Sequence, residues 1–596
     1  MVAIIFRIFV AKIDNKQAET EKKMNGKFLK KAFAVLLTGA ALASCSDDNK
    51  ETLRQPYNYM TPNQAEVAVL YYSLGGGDLD ASTELDFCKA AYEIAGSVTN
   101  VRYFVQHKYS GKEGYEGYLE RTKKSERNYN YVMSGDFGGV YRYELLWGLV
   151  NANVQNENFW STGEKMLNIG EYKIGDAAYQ MYQPANMAEF IRWSMMKAPE
   201  AQSFVLCMGD HGGGYNPTSD FDKKNLTKGI LYDDNMSEKP CMSPQEIAAA
   251  LNMLSAKERA KIKILCFDCC MMNNLETLAE LKGLVPYVIA SSHSVPAADQ
   301  GVFVRCMGQS RGQLGAMAEA SKAYITEVQK KLKKEFVDEG RKNAFTRNLD
   351  FTVTDMSKMD ALLTAIKNMR EFLTGESNAA TLTAKKEGYD KAASQCYHFF
   401  NSAPFYDLVD YVNKLSEHVF ADNEEFKTLA AEVKKAAKAA MYAHAGHSYS
   451  LDPENGDDLK GHTFTYSITL GSNAARYNFT GEAEDTNPNQ GAIVICPQDG
   501  DGTAEDNYRR DILLEDGNMR YHIWQSGDPG DNQRIFDKKH PHSASYKSWA
   551  ETYEKTAFDK ATGWSQWMKK NPGLPIGNPP TDDSDESGDW LLDYLY

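Results

Sequence analysis

From Ala65 the chain alternates two kinds of segment. Val67-Ala68-Val69-Leu70-Tyr71-Tyr72-Ser73 is a nearly continuous apolar run, the pattern of a strand covered on both faces. Gly75-Gly76-Gly77-Asp78 ends it, and an amphipathic stretch to about Ala95 follows. Val101 to Gln106 predicts a second strand, Asn186 to Ala198 a helix, and Ser203 to Met208 a strand. Ser243 to Leu254 predicts a helix with Ser243 as N-cap and Glu246 completing a capping box. Ile262 to Phe267 (strand), Leu275 to Lys282 (helix) and Tyr287 to Ala290 (strand) continue the alternation. Strands alternating with helices predict parallel βαβ units, so residues 65–310 are expected to form an α/β sandwich.

The second half reads differently. Gln313 to Phe336 and Phe426 to Tyr442 are Ala/Lys-rich and helical in pattern. Short β-like runs follow at Thr463 to Leu470, Ala492 to Cys496 and Tyr521 to Trp524, so a C-terminal α+β region is expected. Asn571 to Gly588 is rich in Pro, Gly and acid, a composition that does not bury enough apolar surface to order itself.

The N-terminus reads as an address. Lys27, Lys30 and Lys31 precede an apolar run, Ala32 to Leu42, that is shorter than the roughly 20 residues a membrane span needs. It fits a secretory signal. It ends in Leu42-Ala43-Ser44-Cys45, which resembles the lipobox of bacterial lipoproteins, with Cys45 the lipid anchor. Met24 then fits as the start, with residues 1–23 an over-extension. Asp47 and Asp48 resemble signals that send some lipoproteins to the outer surface of Gram-negative cells, so an outer-membrane or cell-surface location is expected.

Composition narrows the function. Lys plus Arg number 66 and Asp plus Glu 81 in 596 residues, a net charge of −15. Removing residues 1–44, with eight basic and three acidic side chains, moves it to −20. A nucleic-acid binder needs a basic footprint, so nucleic acid is excluded as a partner. Ten cysteines are too few for a disulfide scaffold of this length.

In open α/β sheets, sites form at the carboxyl ends of parallel strands. One predicted strand runs into Asp210-His211-Gly212-Gly213-Gly214-Tyr215, and another into Asp268-Cys269-Cys270-Met271-Met272-Asn273-Asn274-Leu275-Glu276. An imidazole and a thiol at one sheet edge suit thiolate catalysis: the His takes the thiol proton and the thiolate attacks an acyl carbon. Glycines after the His let backbone N–H groups approach a developing oxyanion. Each half alone also fits a tight turn or a small buried thiol. Cys266-x-x-Cys269 lacks the second ligand pair that zinc needs, so no metal site is expected there.

These segments resemble the clostripain-like cysteine peptidases, which share a caspase-like α/β/α sandwich with a mostly parallel sheet. The family pattern Asp-His-Gly-Ser/Gly-Gly-Trp/Tyr is matched by Asp210 to Tyr215. Asp-Ala-Cys-Leu-Met-Gly-x-x-Glu is matched by Asp268 to Glu276, except at Cys269, Met271 and Asn273. The likeness is good over residues 65–310 and loose beyond. It implies Cys270 as nucleophile, His211 as general base, the Gly212 and Cys270 N–H groups as oxyanion donors, and cleavage after Arg or Lys with Asp268 as pocket acid. Asp299, after Pro296, is a candidate second pocket acid; Ser292-His293-Ser294-Val295 departs from the family's acidic pair, and His293 fits either the pocket lining or, the favoured reading, the surface. The polar loop Asp220 to Lys228 offers Lys223, Lys224 and Lys228 for self-cleavage. No cofactor is required by this chemistry. Calcium enters only through the resemblance, because Asp499-Gly500-Asp501-Gly502-Thr503 lacks the glycine and closing Glu of a calcium loop.

The expected organisation is a lipoprotein signal over 1–45, a tether over 46–63, a catalytic domain over 64–345, an α+β region over 346–570 and an acidic tail over 571–596. The expected function is a lipid-anchored cysteine endopeptidase acting on proteins or peptides with basic P1 residues. The alternatives are a non-catalytic surface binding lipoprotein that keeps the fold, and a hydrolase or transferase on another acyl substrate.

Overall fold

The computed structural model describes residues 65–75, 79–111, 138–151, 153–154, 165–215, 229–233, 240–293, 295, 299–332, 334, 348–376, 379–397, 399, 405–448, 465–470, 509–513, 519–523, 533–536 and 553–568. The signal with Cys45, the tether, the loop carrying Lys223, Lys224 and Lys228, the Asp499–Thr503 stretch, Ala492–Cys496 and the acidic tail lie outside the described residues.

Five parallel strands form the centre of a nine-stranded sheet: β1 (Val67–Leu74), β2 (Val101–Tyr109), β5 (Ser203–Gly209), β6 (Ile262–Asp268) and β7 (Tyr287–Ala290). The sheet order is β10-β8-β7-β6-β5-β1-β2-β3-β4. Antiparallel β3 (Gly139–Glu144) and β4 (Lys173–Gly175) extend one edge, and β8 (Asn348–Asp355) and β10 (Met441–Ser448) the other. From β1 the chain moves first to β2 and later, through β5, β6 and β7, in the opposite direction. The β1/β5 boundary is therefore the switch point of the sheet, where such folds place their ligands.

The near-continuous apolar strands are explained by cover on both faces. Ala68, Leu70 and Tyr72 of β1 join one core with Phe190 and Ile191 of α2 (Pro184–Lys197), Ile247 of α3 (Pro244–Asn252) and Leu278 of α5 (Leu275–Leu281). Tyr71, on the opposite side of β1, sets its ring edge-on to Phe87 of α1 (Asp80–Gly96), 5.1 Å between centroids. On that side α1 packs on α6 (Gln300–Gln309) and α6 on α7 (Leu314–Leu332). α4 (Ala256–Arg259) is a single turn before β6. The expected capping box is present: Ser243 Oγ accepts the Glu246 N–H and Glu246 accepts the Ser243 N–H.

The regions expected as 64–345 and 346–570 share this sheet, and the described residues from Ala65 onward fall in one compact unit. The helix expected over Phe426–Tyr442 spans Glu424–Ala440 (α11) and is followed directly by β10, which pairs with β8. α8 (Met359–Gly375) packs on α11 and on α12 (Ala557–Thr562), while α9 (Ala379–Gln395) packs on α10 (Leu408–His418). α13 (Trp564–Met568) buries Trp564 and Trp567 in the same core. β9 (Phe405–Asp407) and β11 (Ser467–Thr469) form a two-stranded ladder, and β12 (Arg509–Leu513), β13 (Met519–Ile523) and β14 (Gln533–Phe536) an antiparallel three-stranded sheet.

Candidate active site

Strand register brings the two motifs together. Gly209 of β5 is paired with Asp268 of β6, and Ser73 of β1 with Gly209. His211 and Cys270 each follow two residues beyond the paired Gly209 and Asp268, at the carboxyl edge of adjacent strands beside the switch point. The two loops touch through backbone. A Cβ built on Gly212 would lie 2.1 Å from the Cys270 carbonyl oxygen and 2.7 Å from the Cys270 nitrogen, so only glycine fits there. Gly214, at φ +72°, is held against the Phe405 ring and the Met271 carbonyl in the same way.

Isolated β-bridges pin the histidine loop. Gly212 bridges Ile230, and the Gly213 N–H donates to the Gly229 carbonyl at 2.9 Å. The Tyr232 N–H donates to Asp210 Oδ2. Asp233, at the end of this segment, is buried in an ion pair with the buried Lys108, whose ammonium also donates to the Tyr179 carbonyl at 3.0 Å. His211 is half-buried.

The thiol loop turns sharply after Cys270. Met271 adopts a left-handed φ of 58°, a conformation that holds a bulky residue in place only against strain of about 1 kcal/mol or more. Its N–H donates to the His293 carbonyl at 3.0 Å. The Val295 N–H lies 3.3 Å from Cys270 Sγ and donates to it. Cys270 is 4% exposed and packs with Met271, Phe399 and Phe405. Cys269 points elsewhere: its thiol donates to the Met208 carbonyl at 3.2 Å, and burial pushes it well above an ordinary thiol. Cys207 and Cys266 are buried strand residues, as their apolar neighbours predict.

Asp268 sits behind the nucleophile loop. Its Oδ2 accepts the Tyr71 hydroxyl at 2.8 Å and the Gln300 amide at 3.3 Å. Gln300 is itself fixed by the Tyr103 hydroxyl, 3.0 Å from Oε1. Asp299, expected as a second pocket acid, is instead the N-cap of α6. Its Oδ1 accepts the Val302 N–H at 3.0 Å and its Oδ2 pairs with Lys331, contacts that hold its carboxyl below the usual range although burial opposes them.

Three motif-adjacent residues have roles the sequence did not reveal. His293 is 4% exposed rather than on the surface, set between Asp350 and Tyr397. Asn273 joins the thiol loop to the far half of the chain: its N–H donates to Ser291 and its carbonyl accepts the Ser467 N–H. Glu276, the acid that closes the motif, accepts the Thr469 N–H at 3.0 Å and the Tyr553 hydroxyl at 2.9 Å. Among the described residues no group of three His, Cys, Asp or Glu side chains is arranged to hold a metal ion, and no helix is long and apolar enough to cross a membrane.

The sequence model of the clostripain family, Peptidase C11, matches residues 161–570, more than half of the chain. The chain belongs to the clostripain family. It is thus a cysteine peptidase of the C11 type, on a mostly parallel α/β sheet flanked by helices. The matched range reaches well beyond residue 310, so the C-terminal half, only loosely similar by motif, is part of what the family shares.

Solved structures to which the chain is similar include a secreted C11 cysteine protease from Bacteroides thetaiotaomicron bound to an irreversible peptide inhibitor, 12% identical, covering 68% of this chain and 89% of that one, TM-score 0.40. Another is an inactive zymogen C11 protease from Parabacteroides distasonis, 14% identical, covering 69% and 92%, TM-score 0.40. No curated protein matches the chain.

Proposed function

We propose that this clostripain-family peptidase cleaves proteins or peptides after Arg or Lys, with Cys270 as nucleophile and His211 as general base. The observation that carries the reading is the shared register of the two residues, each two positions past the Gly209–Asp268 pair at the switch point. His211 takes the Cys270 proton and the thiolate attacks the substrate carbonyl; the peptide C–N bond then breaks as His211 gives that proton to the leaving amine, and water hydrolyses the resulting thioester. The N–H groups of Gly212 and Cys270 are the proposed oxyanion donors, and the Gly212–Cys270 backbone approach supports them. Asp268 offers a carboxylate to a basic P1 side chain through a charge-assisted hydrogen bond.

The same reading includes activation. Phe399 and Phe405 pack on a thiol that is 4% exposed, so a substrate carbonyl reaches Cys270 only when that cover moves. Self-cleavage after Lys223, Lys224 or Lys228 is the proposed trigger, because residues 216–228 connect the histidine loop to the Gly229–Asp233 segment pinned beneath it. We place the enzyme on the outer membrane or cell surface of a Gram-negative bacterium through lipid on Cys45, on the strength of the Leu42–Cys45 sequence.

Fluorogenic peptides ending in Arg, Lys or a neutral residue, assayed with and without calcium on wild type and Cys270→Ala, test the reading. Turnover of the basic peptides that vanishes with Cys270→Ala is expected. Turnover that survives the substitution, or that favours the neutral peptide, rejects it.

A further inference from the structure

One polar cluster beside the thiol has no part in the proton transfers above. Asp350, on β8 between β7 and β10 and 1% exposed, is the common acceptor of a whole loop. The N–H groups of Ser292 and His293 and the Ser291 hydroxyl all donate to its Oδ1, at 3.1, 3.1 and 3.0 Å. His293 Nδ1 closes on the same oxygen at 2.6 Å, and His293 Nε2 meets the Tyr397 hydroxyl at 2.7 Å. The His293 ring also lies edge-on to Phe399, 4.9 Å between centroids.

The loop fixed in this way contacts the nucleophile at two points: the His293 carbonyl receives the Met271 N–H, and the Val295 N–H donates to Cys270 Sγ. A hydrogen bond to sulfur favours the thiolate over the thiol. We propose that Asp350 and His293 are positioning residues for the nucleophile: the pair fixes residues 291–293 so that the Val295 N–H stays on Cys270 Sγ. The inference rests on Cys270 being the nucleophile.

Among the described residues, Asp407 and Asp410 face the Tyr397 side of this cluster. Asp350 faces His293, His444 of β10 and Tyr397. Cys270 has Cys269 and Asp268 next to it in its own loop and His211 in the facing one. Burial opposes ionisation of Asp350, but His293, His444 and the Ser291 hydroxyl together outweigh it, which keeps the carboxyl below its usual range. Burial lowers His444 from its ordinary value.

The test is the pH dependence of Cys270 alkylation by iodoacetamide in the full chain. Mass spectrometry locates the label, and Cys270→Ala supplies the background. A hydrogen bond to a charged group is worth enough to move a thiol by about one pH unit. Asp350→Asn should raise the apparent pKa of alkylation by about one unit and move the acid limb of kcat/KM with it. Val295→Pro, which deletes the donor itself, should give the same shift. If Asp350→Asn does not fold, judged by thermal unfolding, Val295→Pro carries the test. A folded variant with an unchanged alkylation profile overturns the proposal. A wild type that is alkylated with the expected pH dependence but hydrolyses no peptide leaves the positioning intact and rejects the peptidase reading instead.

Discussion

Glu276 accepts the hydroxyl of Tyr553 at 2.9 Å, across 277 residues of chain. The carboxylate that closes the nucleophile motif is thus a fastener for the C-terminal half, since it also receives the Thr469 N–H of β11. Both bonds converge on Oε1 in a fully buried setting, and burial raises the Glu276 carboxyl above its ordinary value. A raised carboxyl stabilises the fold at low pH, and that contribution is lost as pH climbs from the usual carboxylate value through the raised one. Glu276→Ala should therefore destabilise by about 2–4 kcal/mol, leaving two buried donors unmet. Glu276→Gln keeps an acceptor and should gain on wild type as pH rises. Urea unfolding at pH 5 and pH 8 checks both expectations.

The tandem thiols separate cleanly by environment. Cys269 donates to a strand carbonyl and is buried, whereas Cys270 carries the Val295 N–H on its sulfur. Cys270→Ala should reduce kcat/KM for basic peptides by about a thousandfold or more, and His211→Ala by a similar factor. Cys269→Ala should stay within about tenfold of wild type, losing only a buried contact. Parallel kinetics of the three variants, with thermal unfolding as the folding control, decide the assignment.

Much of this arrangement was legible in the sequence, because buried parallel strands are written as unbroken apolar runs and their carboxyl ends as sudden glycine- and acid-rich turns. His211, Gly212, Asp268 and Cys270 are local to those ends. Their supports are not: Tyr71 and Gln300 reach Asp268 from β1 and α6, and Asp350 reaches His293 from β8, 57 residues on. No spacing rule connects residues that meet only through sheet order. β10 was hidden for a different reason. Met441-Tyr442-Ala443-His444-Ala445 continues the Ala-rich pattern of α11, and pairing with β8 overrides that local preference. Asp299 read as a pocket acid because it closely follows Ser292–Val295 and Pro296, but an Asp immediately before a helix also fits an N-cap.

The two acids near the pocket should respond differently to substitution. Asp268 is held by neutral donors, Tyr71 and Gln300, which orient its carboxylate without neutralising it. Asp268→Asn should raise KM for Arg and Lys peptides and lower kcat/KM by about a hundredfold, the loss expected when a charge-assisted bond to a desolvated cation disappears. Asp299→Ala removes a helix cap and should lower stability by about 1 kcal/mol while leaving the preference for basic over neutral peptides unchanged. A loss of that preference in Asp299→Ala would return this acid to the pocket.

A third carboxylate makes the proposed pocket sensitive to pH. Asp86 of α1 is buried and bonded to Lys89 at 2.7 Å. Burial, reinforced by the charges of Asp268 and Asp299 and opposed by Lys89, pushes it up to about 7. Below that pH Asp86 is neutral and Asp268 acts alone on a cationic side chain. Above it, Asp86 adds a second negative charge in the same low-dielectric region. KM for Arg and Lys peptides should therefore fall as pH rises through about 7, and Asp86→Asn should abolish that step without altering kcat. Stability should run the other way: the raised carboxyl favours the fold at acid pH, and that share is lost as pH climbs through about 7. Asp86→Asn should accordingly become the more stable chain at pH 8. Steady-state kinetics from pH 5.5 to 8.5 separate this from titration of the general base, which moves kcat. A KM step that persists in Asp86→Asn would assign it to another group.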